Sequence, residues 1–261
     1  PAPSSLGTPV ALRSPAPAGS RFPHLAPADD GVVMSWLQVK PDGRASLHHA
    51  TYSGEAWSPA RTVAEGADWF VNWADFPSVV PVSDRTWIAH WLQQRPGGVY
   101  AYDVRIAVSD DSGATWGVPF SPHDDGTATE HGFVTLLPDG AGARAFWLDG
   151  RHTSGEHDHS SGAAQGAMTL RAGLISGDAA NPGRDAELDS RTCDCCQTDA
   201  ARTSEGLVVV YRDRSEDEIR DIALIRWTGA EWSAPIAVAH DDWRTDACPV
   251  NGPAVDARGD A

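Results

Sequence analysis

A short turn unit containing glycine and tryptophan recurs along the chain, and this repeat restricts the fold more than any other feature. In each copy the tryptophan follows three residues after the glycine. The tryptophans are Trp57, Trp116 and Trp232, so they are separated by 59 and then 116 residues. The second separation equals two periods of 58. The chain is therefore predicted to repeat one structural unit rather than to fold around unrelated elements.

A second series of features has nearly the same period. Four apolar runs, 32–36, 87–91, 145–147 and 207–211, each end in an aromatic residue. Their last residues are Trp36, Trp91, Trp147 and Tyr211, at steps of 55, 56 and 64 residues. Two independent series with one period make chance similarity an unsatisfactory explanation.

Each period contains four short runs with the alternating pattern of β-strands. In the fourth period these runs are 197–203, 206–212, 219–227 and 232–239. Four antiparallel strands in a repeat of this length are typical of one blade of a β-propeller. We therefore predict an all-β propeller. The alternative is a β-sandwich with accidental internal similarity.

The predicted blades begin near Phe22, Phe76, His131, Cys196 and Cys248. The fifth blade has only started at residue 261, and we expect a six-bladed ring of roughly 350 residues when complete. An open propeller exposes an edge strand, which favours pairing with another chain that carries the remaining blades. The expected domains are a flexible Pro/Ala-rich leader at 1–20 and a propeller at 21–261 that is apparently truncated.

Charge and hydropathy exclude two classes of partner. The chain has 36 acidic and 20 basic side chains and a net charge of −16, so its surface repels phosphate and nucleic acid is not an expected partner. No run of eighteen apolar residues is present, so no membrane-spanning helix is expected. The Pro/Ala/Ser-rich leader is typical of exported bacterial proteins after signal removal, which predicts a periplasmic or extracellular location.

One turn unit resembles a known family motif. The segment 109–116 reads Ser-Asp-Asp-Ser-Gly-Ala-Thr-Trp and fits the Asp-box pattern Ser-x-Asp-x-Gly-x-Thr-Trp, the bacterial neuraminidase (BNR) repeat of sialidase-type six-bladed propellers. The resemblance implies a tight hairpin turn, in which the Asp111 carboxylate accepts backbone hydrogen bonds and Trp116 packs between blades. Such a turn is structural and carries no chemistry.

The same resemblance suggests residues for an acidic substrate. Arg21-Phe22-Pro23 is similar to the Arg-Ile-Pro motif in which sialidases bind the substrate carboxylate, although a surface arginine before a strand would look the same. Arg191 and Arg212 are the further candidates for substrate binding. Catalytic residues are not identified, because the family's tyrosine nucleophile and its glutamate partner would lie in the blades beyond this sequence.

All four cysteines fall at predicted blade starts: Cys193, Cys195 and Cys196 in blade four and Cys248 in blade five. Two ordinary disulfides would force a bridge within the 193–196 stretch, which is too short for normal disulfide geometry. One bridge to Cys248 with two free thiols, or a soft metal ion that protects the thiols, remains open. The Cys-x-Cys-Cys motif is similar to that of uncharacterised secreted sialidase-like proteins.

Two histidines are predicted to join this cysteine cluster. His157 and His159 lie in the loop between the second and third strands of blade three, which emerges on the face where the inner strands begin. Cysteine and histidine ligands suit copper or zinc rather than calcium or magnesium. The expected metal ligands are therefore Cys193, Cys195, Cys196, Cys248, His157 and His159.

Three functions follow from these observations. The first is an exported sialidase-like propeller that binds copper or zinc at its channel mouth. The second is a glycoside hydrolase or carbohydrate-binding propeller that acts on acidic sugars, with cysteines that only brace the ring. The third is a scaffold for protein partners without chemistry.

Overall fold

The computed structural model describes residues 8–29, 31–153, 166–176 and 185–257. Within these ranges the regular secondary structure is entirely β, in four antiparallel sheets. Sheet 1 contains β1 (Arg21–Ala28), β2 (Gly31–Val39), β3 (Ala45–Tyr52) and β4 (Arg61–Gly66), and sheet 2 contains β5 (Ser78–Pro81), β6 (Trp87–Gln94) and β7 (Tyr102–Ser109). Sheet 3 contains β8 (His131–Asp139), β9 (Gly142–Asp149), β10 (Met168–Ile175) and β11 (Ala186–Thr192), and sheet 4 contains β12 (Asp199–Thr203), β13 (Gly206–Arg212), β14 (Ile222–Trp227) and β15 (Ile236–Ala237).

The four sheets are the blades of a propeller, which confirms the predicted fold class. Strand order in each sheet follows the chain, and the first strands contact one another in sequence: β1 with β5, β5 with β8, and β8 with β12. These inner strands begin close to the predicted blade starts. In blade 2 the described residues form three strands, and the outer strand β7 pairs further only through isolated contacts such as the bridge between Ile106 and Phe120.

Apolar side chains bury the blades against one another. One cluster joins blades 1 and 2 through Val33, Leu47 and Val79, a second joins blades 2 and 3 through Ile88 and Leu136, and a third joins blades 3 and 4 through Phe146, Leu170, Val209 and Ile225. The aromatic ends of the second strands, Trp36, Trp91, Trp147 and Tyr211, are each at most 3% exposed. The second sequence series therefore marks the centre of each blade.

The glycine and tryptophan units occupy equivalent outer positions. The residue after each tryptophan donates its backbone N–H to the third strand of its own blade: Ser58 to Thr51 at 2.8 Å, Gly117 to Val108 at 2.8 Å and Ser233 to Arg226 at 2.9 Å. Trp116 packs on His49 of blade 1, and Trp232 packs on Phe146 of blade 3. In blades 2 and 4 the tryptophan of the first sequence series therefore marks a contact with the preceding blade, whereas Trp57 packs on Tyr52 of its own blade.

The segment after blade 4 returns to the inner strand β12. Gly252 donates its N–H to Gln197 Oε1 at 3.3 Å, and Val255 donates to Asp199 Oδ2 at 2.8 Å. A Cβ at Gly252 would lie 1.9 Å from the Gln197 carbonyl oxygen, so only glycine allows this approach.

The number of blades in a complete ring and pairing with a second chain stay predictions. Among the described residues, no helix has the length and apolar character needed to cross a bilayer.

The predicted Asp111 turn follows β7, at the end of the propeller opposite the starts of the inner strands. Asp111 Oδ1 accepts the Thr115 N–H at 2.8 Å, and its Oδ2 accepts the Thr115 hydroxyl at 2.7 Å. Ser112 and Gly113 have positive φ angles of 59° and 73°, which the tight turn requires. Thr115, and then Ser109, hold the pKa of Asp111 at about 2.

We expect Asp111→Ala to lower the melting temperature at pH 7. A depressed carboxyl pKa stabilises the folded state above the unfolded value near 4, and this contribution is lost as pH falls toward 2. The difference between variant and wild type should therefore shrink between pH 4 and pH 2 in thermal unfolding. Asp110→Ala, at the exposed neighbouring position, is the control and should behave like wild type. An unchanged melting temperature for Asp111→Ala at pH 7 would refute a stabilising role for this turn.

Candidate functional sites at the channel mouth

The inner strands enclose a central cavity of about 280 Å³. All four blades contribute to its wall, and residue 253 of the following segment completes it. Its polar lining includes His24 from β1, Asp75 before β5, Thr135 from β8, and Gln197 and Asp199 at the start of β12. Because every inner strand starts on one face of the ring, residues far apart in sequence meet at this mouth.

Two buried carboxyl groups share one tyrosine beside this cavity. Asp75 is 3% exposed and Glu130 is 6% exposed, and they precede the inner strands of blades 2 and 3. Tyr102 donates its hydroxyl hydrogen to Glu130 Oε1 at 2.5 Å and also hydrogen-bonds Asp75. Asp75 Oδ2 accepts the backbone N–H of Phe133 at 2.8 Å. One phenolic hydrogen can stabilise only one negative charge at a time.

A bulge in β8 makes the Phe133 contact. The register of β8 against β9 shifts between Gly132 and Thr135, and Phe133 has a positive φ of 54°. A Cβ at Gly132 would lie 2.0 Å from Asp75 Oδ2, so a side chain there would displace the carboxyl group. Phe22 in β1 has nearly the same φ, 55°, beside an equivalent register shift. The repeat therefore places this strained residue at the same point in both blades.

Burial controls the protonation of both carboxyl groups. It raises the pKa of Asp75 to about 7, although the hydrogen bonds from Phe133 and Tyr102 oppose the rise. It raises the pKa of Glu130 to about 8, and the negative charges of Asp75 and Asp194 add to the effect. Near neutral pH this pair therefore retains protons, which surface carboxyls do not.

The four cysteine sulfurs lie together on the same face. Cys195 and Cys248 form a disulfide, while Cys193 and Cys196 are free thiols with their sulfurs 3.4 Å apart. The sulfurs of Cys193, Cys195 and Cys196 all lie within 4.8 Å of one another. The structure thus brings together all four predicted cysteine ligands. His157 and His159 lie outside the described residues.

Cys193 is the more acidic of the two free thiols. The hydrogen bond with Cys196 lowers its pKa to about 6, and the Arg220 guanidinium, with Nη1 3.2 Å from the Cys193 sulfur, acts in the same direction. The interaction with Cys193 raises the pKa of Cys196. Both thiols are at most 1% exposed, so the protein isolates this pair from bulk solvent.

The three predicted substrate arginines have different surroundings in the described part of the chain. Arg21 lines a separate pocket with the 16–20 segment and Trp36. Arg191 lies 3.8 Å from Glu218, and Arg212 donates to the main-chain carbonyls of Arg220 and Asn251. None of the three lines the described wall of the central cavity. Their role in binding an acidic substrate stays a prediction.

A second polar network lies between blades 2 and 3. The rings of His123 and His131 stack with centroids 3.9 Å apart, and His131 Nε2 lies 3.1 Å from Asp125 Oδ2. Asp149 accepts hydrogen bonds from Trp147 Nε1 and from the Arg151 guanidinium. Asp125, His131 and Asp149 are close enough to hold a cation, but each is already engaged within the protein. This network locks two blades together.

Sequence reasoning missed Asp75, Tyr102, Glu130 and Arg220. A signal was present for two of them, because Asp75 and Glu130 immediately precede predicted blade starts, as the cysteine cluster does. The cysteines were predicted to lie together because residues at the starts of inner strands meet on one face of the ring. The same reasoning applies to these two carboxyl groups. Tyr102 and Arg220 follow the second strands of their blades, and nothing local to the sequence distinguishes them.

Comparison with known proteins identifies the fold but does not assign the chain to a family. No protein-family model and no curated protein sequence matches the chain. An α-L-arabinofuranosidase from Fusarium graminearum, solved with an iminosugar inhibitor, matches with a TM-score of 0.52 and 13% identity over 91% of this chain and 66% of that structure. A neuraminidase-like protein from A/bat/Guatemala/164/2009 matches with a TM-score of 0.51 and 10% identity over 82% of this chain.

A protein of unknown function from Dyadobacter fermentans matches with a TM-score of 0.50 and 13% identity over 84% of this chain and 69% of that structure. The chain spans only 53% of the neuraminidase-like protein and just under two thirds of the arabinofuranosidase. At these identities the likeness concerns the fold alone. It confirms a propeller of the kind found in those proteins, and sialidase-family membership is not established.

The buried carboxyl pair predicts an unusual dependence of stability on pH. A carboxyl group whose pKa is raised on folding stabilises the protein fully below the unfolded value near 4, and that stability is lost as pH rises through about 7 and 8. The variant Asp75→Asn/Glu130→Gln should remove this loss. Between pH 5 and pH 9 its free energy of unfolding should fall less than that of wild type, by on the order of 3 kcal/mol per group.

Chemical denaturation at both pH values measures this effect. Asp139→Asn is the matched control, because Asp139 lies at the other end of β8 in an ion pair with Arg144. The control should keep the wild-type pH dependence. Equal slopes for the double variant and wild type would show that the two carboxyl groups ionise normally.

Proposed function

We propose that this propeller is a glycoside hydrolase whose reaction site is the central cavity, with Asp75 as the general acid. The observation that carries the proposal is the placement of Asp75: it is a buried carboxyl group on the cavity wall with a pKa near 7. A general acid must hold its proton at the working pH and face the group that it protonates. The solved neighbours with propeller folds and glycosidase names add support at the level of fold.

Hydrolysis of a glycosidic bond uses a second carboxylate across the site. Asp199 lines the same cavity from blade 4, whereas Asp75 comes from blade 2. A sugar held between them would have one carboxyl group on each side of the scissile bond. We assign Asp199 the role of base or nucleophile, with its orientation fixed by the hydrogen bonds from the Ala200 and Val255 N–H groups.

Glu130 and Tyr102 act through Asp75 and are positioning residues. Tyr102 is fully buried, and its single hydroxyl hydrogen, which is directed at Glu130 Oε1, cannot stabilise negative charges on both carboxyl groups at once. A negative charge on Asp75 would therefore be poorly stabilised, which keeps the proton available for the leaving group. His24 and His90 also line the cavity, and burial lowers the pKa of both, so they add no positive charge near neutral pH.

The proposal includes that the protein works in an oxidising compartment. The Cys195–Cys248 disulfide favours a periplasmic or extracellular location, where disulfides persist. The Pro/Ala-rich leader supports the same location. Polysaccharides outside the cell are accessible to an exported hydrolase, and a net charge of −16 keeps the protein soluble there.

Fluorogenic glycosides test the proposal with the full chain. One arm uses 4-methylumbelliferyl α-L-arabinofuranoside as a neutral sugar, and the other uses the corresponding α-sialoside as an acidic sugar. We expect hydrolysis in one arm, with kcat/KM falling as pH rises above about 7 because Asp75 loses its proton. Asp75→Asn and Asp199→Asn should each reduce kcat by about 10²–10⁴-fold.

Asp139→Asn serves again as the control and should retain full activity. Glu130→Gln should keep activity but shift the pH profile, as expected for a positioning residue. Absence of hydrolysis in both arms would contradict the assignment of an enzyme. Hydrolysis that survives both Asp75→Asn and Asp199→Asn would contradict the assigned site.

A further inference from the structure

We propose that the four cysteines form one thiolate site for a soft d¹⁰ cation, zinc or Cu(I), and that the Cys195–Cys248 disulfide is the oxidised, metal-free state of this site. The proposal is independent of the hydrolase assignment, because it concerns different residues and different chemistry. It rests on the sulfur positions, on the way the chain holds them, and on the charges around them.

The sulfur positions already approximate a metal site. The Cys193 and Cys196 sulfurs are 3.4 Å apart, the Cys195 sulfur lies within 4.8 Å of both, and the Cys248 sulfur is bonded to Cys195. In a tetrahedral site with metal–sulfur bonds of about 2.3 Å, the sulfurs stand about 3.8 Å apart. The sulfurs of Cys193, Cys195 and Cys196 therefore need small movements to surround one ion, and Cys248 must move toward that ion once the disulfide is reduced.

The chain holds Cys248 in place without the disulfide. Arg212 donates two hydrogen bonds, at 3.0 and 2.7 Å, to the Asn251 carbonyl oxygen. Gly252 donates to Gln197, immediately after Cys196, and Val255 donates to Asp199. These contacts anchor the 248–255 segment beside β12, so reduction should leave Cys248 next to its three partners.

The surrounding charges favour an anionic sulfur cluster. A zinc ion with four thiolates carries a net charge of −2, and Cu(I) with two thiolates carries −1. Arg220 is 3% exposed, and its Nη1 lies 3.2 Å from the Cys193 sulfur. Arg212 is 9% exposed, and its described hydrogen bonds go to main-chain carbonyls rather than to carboxylates. Arg220 already pairs with Glu218 through its other terminal nitrogen at 2.8 Å, and metal-bound thiolates would give it a second anionic neighbour.

Thiolates also select the class of metal. Sulfur ligands prefer zinc and Cu(I) over magnesium or calcium, which prefer oxygen ligands. Zinc takes four ligands in closed sites of this kind, so it requires all four cysteines in reduced form. Two thiolates suffice for Cu(I), and Cys193 and Cys196 remain free when the disulfide is intact. The redox state of Cys195 and Cys248 would therefore select between the two ions.

The conversion of the Cys195–Cys248 disulfide to two thiols is balanced with a phosphine as the reductant. The phosphine donates two electrons to the disulfide and takes up the oxygen of one water molecule. The products are a phosphine oxide and two thiols, which carry the two hydrogens of that water. Zinc binding then releases the thiol protons as four metal–sulfur bonds form.

Metal titration of the full chain in two redox states tests the proposal. Protein reduced by a phosphine and desalted without oxygen should bind one equivalent of zinc, measured by mass spectrometry of the bound metal. Cobalt(II) in place of zinc should give the absorption bands of a tetrahedral tetrathiolate. Oxidised protein should bind zinc at least tenfold more weakly while still binding one equivalent of Cu(I).

Variants locate the site. Cys248→Ser should weaken zinc binding by at least tenfold and leave Cu(I) binding intact, whereas Cys193→Ser should weaken both. Asp125→Asn is the control, because it alters one of the two other described groups of residues that are close enough to hold a cation, and it should keep one equivalent of zinc. If a cysteine variant fails to fold, the cobalt spectrum of the wild type still counts the thiolate ligands.

Three results would overturn the proposal. The first is reduced wild-type protein that binds less than half an equivalent of either ion. The second is a cobalt spectrum typical of oxygen and nitrogen ligands. The third is loss of zinc in Asp125→Asn but not in Cys248→Ser, which would move the site to the network between blades 2 and 3.

Discussion

Packing of each blade against the next is the interaction on which the whole structure depends. A single four-stranded sheet cannot bury its own apolar faces, and here the facing sides of adjacent blades cover one another through side chains such as Leu47, Trp147 and Val209. This packing forces the inner strands to run side by side around one axis. Because all of them begin on the same face, residues that precede them are drawn to one mouth, whatever their chemical type.

Convergence at the mouth explains the unusual protonation there. Asp75 and Glu130 are buried by the packing of their neighbours, and the single Tyr102 hydrogen cannot stabilise charges on both, so ionisation of the pair is costly. The same packing buries Arg220 against the Cys193 sulfur. Groups that would be ordinary on a surface become a buried carboxyl pair that retains protons and a sulfur cluster in contact with a guanidinium group.

The two proposed sites are physically connected through Gln197. Its side chain donates to the Ala74 carbonyl oxygen at 2.5 Å, next to Asp75, and it accepts the Gly252 N–H at 3.3 Å. Gln197 also lines the central cavity and follows Cys196 directly. Gln197 is therefore in contact with the segments that carry both sites.

The sequence by itself determined the propeller, because the two aromatic series with one period record which positions pack within and between blades, and local alternation records the strands. It also predicted the gathering of the cysteines, since Cys196 and Cys248 are one repeat apart. Only the tertiary structure decided which sulfurs are bonded and which are free, and that Asp75, Tyr102 and Glu130 form a buried group. Separations of a few ångströms and desolvation depend on side chains from three blades at once, and no local pattern in the chain encodes them.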